Sequence, residues 1–92
     1  MDVREAVQAA KAHIAGLYAD EEIRHIGLEE VVFDDALDAW KVTVGFFREW
    51  DHESALPPGF AGWRKRSFKV VQIDDGSGKV KSMTHRSLPA AE

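Results

Sequence analysis

A chain of 92 residues with 45% hydrophobic and 30% charged side chains has apolar mass for one hydrophobic core and no second. It carries no cysteine, which excludes disulfides and thiolate metal sites and leaves packing as the source of stability. A net charge of −4 argues against general nucleic-acid affinity, and no apolar run suits a signal sequence or a membrane span, so a cytoplasmic protein with no membrane partner is expected.

Asp2 followed three residues later by Glu5 has the form of a capping box, in which each side chain satisfies a backbone N–H orphaned at a helix start. A helix is expected over about 2–19. Val3, Val7, Ala10, Ile14 and Leu17 recur at spacings of three and four and define its apolar stripe, while His13 reads as a solvent-facing helix residue.

Branched and aromatic residues in IGLEEVVF predict a first strand over about 26–33, followed by an acidic turn at Asp34 and Asp35. The second strand, about 39–50, alternates cleanly. Trp40, Val42, Val44 and Phe46 form one face, and Lys41, Thr43, Gly45 and Phe47 the other. SFKVVQID predicts a third strand over 67–74, DGSGK a glycine turn, and a fourth strand runs over about 79–86. The expected fold is therefore α+β, one N-terminal helix packed on a four-stranded antiparallel meander, in a single domain over 1–92. One face of such a sheet lacks intrachain cover. Phe47 belongs to it, together with either Phe68 and Val70 or Val71 and Ile73, and a homodimer is the expected use of that face.

Charge is unevenly placed along the chain. Residues 1–53 hold 13 acidic and 5 basic side chains, and residues 54–92 hold 3 acidic and 7 basic. Either late basic strands pair with early acidic ones across the sheet, or the chain presents a basic surface to an acidic partner.

The leading helix, the segment Glu29 to Asp35, the strand Trp40-Lys41-Val42-Thr43-Val44, and Val70-Val71-Gln72-Ile73-Asp74 with Gly78-Lys79-Val80 together resemble the PepSY-like, broadly cystatin-like, small α+β domains. The gas-vesicle accessory proteins of type O are similar in the same places. The PepSY-like resemblance implies a binding or regulatory fold without catalytic residues. Many such domains are exported, and no export signal is visible in this chain.

Motifs for chemistry are sparse. His25, His52, Glu53 and His85 show no metal-ligand spacing, and the consecutive Asp51-His52-Glu53 cannot converge in an extended chain, so no metal and no cofactor are expected. The serines lack an elbow motif, the adjacent acids Glu29-Glu30 and Asp34-Asp35 read as solvated surface, and the glycines of DDGSGK read as a hairpin turn; no enzyme is expected.

The connection over 51–66 is longer than a hairpin needs, and with its flanks it is rich in aromatic and basic residues. Trp50, Phe60, Trp63, Arg64, Lys65 and Arg66, with Phe47, are the candidate partner-binding residues of a non-enzymatic protein-interaction or regulatory module. Two alternatives remain open. One is a small-ligand or enzymatic pocket between helix and sheet with Trp40, Trp50 and His52 at its mouth; the other is single-stranded nucleic acid bound by the cluster from Trp63 to Lys69.

Overall fold

In the computed structural model of the chain the described residues are 1–48 and 66–86. They form α1 (Val3–Leu17), β1 (Ile23–Asp34), β2 (Ala39–Arg48), β3 (Ser67–Asp74) and β4 (Val80–His85), with the strands in one antiparallel sheet of order β1-β2-β3-β4. The expected α+β fold with its helix and four-stranded meander is the fold found.

The capping box closes as its spacing requires: the Glu5 backbone N–H donates to Asp2 Oδ1 at 2.8 Å, and the Asp2 N–H donates to Glu5 Oε1 at 2.9 Å. The helix then lays Ala6, Ala10 and Ile14 on the sheet, all fully buried. Val3 and Leu17, expected on that stripe, are exposed. Two alanines one turn apart let the helix backbone approach the sheet closely, which rotates the buried stripe onto the i, i+4 row through residue 6.

Against those alanines lie Val42, Val44 and Phe46 of β2 with Val71 and Ile73 of β3, all fully buried. Directly opposed residues of an antiparallel pair share a face. Val42 stands opposite Val71, and Trp40 opposite Ile73, so the register settles the alternative left by the sequence: Phe68 and Val70, opposite Gly45 and Thr43, belong to the outer face. Tyr18, just past α1, packs its ring on Phe46 at 5.2 Å, and Arg48 covers Tyr18 at 4.8 Å while donating twice to Glu21. This group seals the end of the core beside the helix C-terminus.

β1 begins three residues before the expected start. Its pairing with β2 shifts between Arg24 and Gly27 and again between Leu28 and Glu30, and His25 has φ 57°. Each shift inserts a residue and inverts the inside–outside alternation beyond it, which is why the segment has no legible period. Asp34 folds the turn to β2 by accepting from the N–H groups of Ala36 and Leu37, and Asp74 folds the β3–β4 turn by accepting from Ser77 N–H at 2.8 Å. Gly78, at φ 74°, supplies the left-handed residue of that second turn.

Candidate functional site

The outer face of the sheet is the candidate site. Phe47 projects from it near the end of β2, with the His25 ring edge-on at 5.8 Å and the Arg66 guanidinium over its own ring at 5.1 Å. Phe68 and Val70 continue the apolar surface on β3, and Val32 is exposed on the same face of β1, opposite Lys41.

Two arginines cross this surface. Arg66 lies on a floor made by Gly45 and its direct partner Gly27, two positions without side chains. A Cβ at Gly45 would stand 2.7 Å from Arg66 Nη2 and 2.9 Å from both Arg66 Nε and Glu29 Oε2, so the glycine is what lets the ion pair lie against the strand. Arg66 Nη2 donates to Glu29 at 3.3 Å, whereas Nε is buried without a hydrogen-bond partner among the described residues. Arg86, just beyond β4, reaches back to Glu30 on β1 and donates to Thr43 Oγ1 on β2 at 3.1 Å. Thr43 is the single buried polar side chain among the described residues, and this bond satisfies it.

Glu29 and Glu30 therefore serve one face, although neighbours in a regular strand point to opposite faces. The bulge between Leu28 and Glu30 removes the conflict. Both acids are exposed, in keeping with their expected reading as solvated surface, and each also holds an arginine. With them the charge asymmetry of the sequence is resolved in part, since Arg66 and Arg86 from the basic half pair with acids from the acidic half. Of the expected basic cluster from Trp63 to Lys69, the described members divide between the faces: Lys69 stands opposite Val44 on the helix side, and Arg66 and Phe68 are on the outer side.

Of the candidate residues, Phe47 and Arg66 are brought together; Trp50, Phe60, Trp63, Arg64 and Lys65 lie outside the described residues, as do His52 and Glu53. Trp40, expected at a pocket mouth, is tied down: its Nε1–H donates to Asp75 Oδ1 at 2.9 Å and its ring meets Phe33 edge-on at 5.0 Å. Among the described residues no three His, Asp or Glu side chains gather as a metal requires, and no helix is long and apolar enough to cross a membrane. Gly45, Gly27, Glu29, Glu30, Thr43 and Arg86 were not legible as site residues. The alternation of β2 had placed Thr43 and Gly45 on this face, and for the charged residues the signal was the pairing of an early acidic with a late basic half.

The fold and face define a small α+β domain with an open antiparallel sheet. No protein-family model, curated protein or solved structure matches the chain.

Proposed function

We propose that this chain is a non-enzymatic protein-interaction module, PepSY-like in architecture, whose partner docks on the outer sheet face around Phe47 and Arg66. The observation that carries the reading is the surface formed by Phe47, Phe68, Val70 and Val32 on the side of the sheet opposite α1, where no described element packs over them. An apolar sheet face of this kind is the usual substrate of sheet-on-sheet or sheet-on-partner packing. The partner assigned to it is a second copy of the chain. Glu29 and Glu30 already hold Arg66 and Arg86, so the face meets its own image across a two-fold axis without a field of like charges.

Sedimentation of the wild-type chain and of Val70→Glu tests this. The wild-type chain sediments as a concentration-dependent dimer, and Val70→Glu sediments as a monomer with an unchanged far-UV spectrum. A wild-type monomer, together with identical partners captured by both proteins from native cell extract, refutes the reading.

A further inference from the structure

The sheet has two edges of opposite character. From Glu22 to Asp35, along β1, stand Glu22, Glu29, Glu30, Asp34 and Asp35 with one arginine, Arg24. From Lys79 to Arg86, along β4, stand Lys79, Lys81, His85 and Arg86 with no acid. The β1 edge is blunted by two register shifts and the left-handed His25, both of which bend a strand away from further pairing. On β4 a single shift falls at Lys81, the extra residue between Val80 and Ser82, and the ladder from Ser82 to His85 is regular.

The ladder places the free backbone groups of β4. Arg86 N–H donates to Phe68 C=O at 2.9 Å, so the alternation of an antiparallel pair turns the backbone groups of Thr84 and Ser82 toward β3 and those of Met83 away from it. Met83 thus offers an N–H and a C=O along an edge where no described strand pairs. Its side chain is half-buried on the helix side against the core. An incoming strand meets backbone donors and acceptors, an apolar neighbour on one face, and exposed lysines.

We propose that β4 is a strand-addition site for an extended acidic peptide segment, which pairs with the Met83 backbone and sets carboxylates beside Lys79 and Lys81. The lysines also select the occupant. A second β4 brought alongside would bring its own lysines to an already basic edge, whereas an acidic strand neutralises them. This site is separate from the outer face, so its failure leaves the proposed function untouched.

The test uses the whole chain and a fluorescein-labelled hexapeptide alternating glutamate and valine, with binding read by anisotropy and by amide chemical shifts. Saturable binding that weakens with salt, moves the Met83 amide, and falls roughly fivefold in Lys81→Glu is expected, the last from reversing one exposed charge. Equal binding of the same peptide N-methylated at alternate residues overturns the pairing. Equal binding of a lysine–valine peptide overturns the charge selection. Absence of binding at millimolar peptide, shifts confined to β1 or the outer face, or a single-stranded oligonucleotide binding through Lys81 with the Met83 amide unmoved each overturn the assignment.

Discussion

Gly45→Ala asks whether the Arg66 guanidinium rests on the glycine floor. The new methyl would stand 2.7–2.9 Å from Arg66 Nη2, Arg66 Nε and Glu29 Oε2, far inside contact distance, and the flexible ends of both side chains must leave. Leaving abolishes a partly exposed ion pair worth about 0.5–1 kcal/mol and the Arg66–Phe47 contact, worth about 0.5–1 kcal/mol. Against this, alanine is favoured over glycine inside a strand by roughly 0.5–1 kcal/mol. The net loss is about 0–1.5 kcal/mol with a midpoint of about 0.75 kcal/mol, which corresponds to a fall in Tm of about 3–6 °C for a domain of this size. In an Arg66→Ala background the first two contributions have already gone, and the same substitution becomes stabilising by roughly 0.5–1 kcal/mol. Gly27→Ala is the control, because its Cβ would meet Arg66 Nη2 at an ordinary 3.6 Å. Thermal and urea unfolding of the four proteins in the Gly45/Arg66 cycle read the sign change. Stabilisation by Gly45→Ala in the wild-type background refutes the seating of Arg66.

Neighbouring phenylalanines should behave differently: Phe46→Ala removes a fully buried ring and costs about 3–5 kcal/mol, whereas Phe47→Ala on the outer face costs less than about 1.5 kcal/mol; similar urea midpoints for the two would contradict the face assignment. Trp40→Phe, which deletes the indole bond to Asp75, costs about 1 kcal/mol, and a cycle with Asp75→Ala should show coupling between the two positions. Asp34 is held below the usual aspartate range first by its hydrogen bond from Lys41, and Asp74 first by the Ser77 backbone N–H. Their contribution is complete above the ordinary aspartate pKa of about 4 and is lost as the pH falls through the lower folded values; melts of Asp34→Asn/Asp74→Asn should therefore depend less on pH on the acid side, and an unchanged profile would count against both assignments.

The sequence was most legible where periodicity and packing coincide. The strict alternation of Trp40 to Phe47 identified both faces of β2, and the Asp2–Glu5 spacing located the start of α1, because each rests on local geometry. The helix stripe was only partly legible, since hydropathy favours Val3 and Leu17 while close packing on a sheet favours Ala6 and Ala10. β1 was least legible. Its bulges invert the alternation twice, and nothing in IRHIGLEEVVFD marks them except Gly27. The outer-face network shares that difficulty, because seating Glu29 and Glu30 side by side depends on a bulge, and the glycine floor depends on a register that local sequence does not specify.

Arg86 joins residues 56 and 43 positions earlier, Glu30 on the first strand and Thr43 on the second. The β1–β2 and β3–β4 hairpins close through short turns, but this link cannot form until β4 has been brought to β1 and β2 through β3, with all four strands in register. It therefore belongs to the last step of folding. Arg86→Ala should accordingly accelerate unfolding in stopped-flow kinetics while leaving the folding rate nearly unchanged, as for a residue that sets how long the native sheet persists once it has formed.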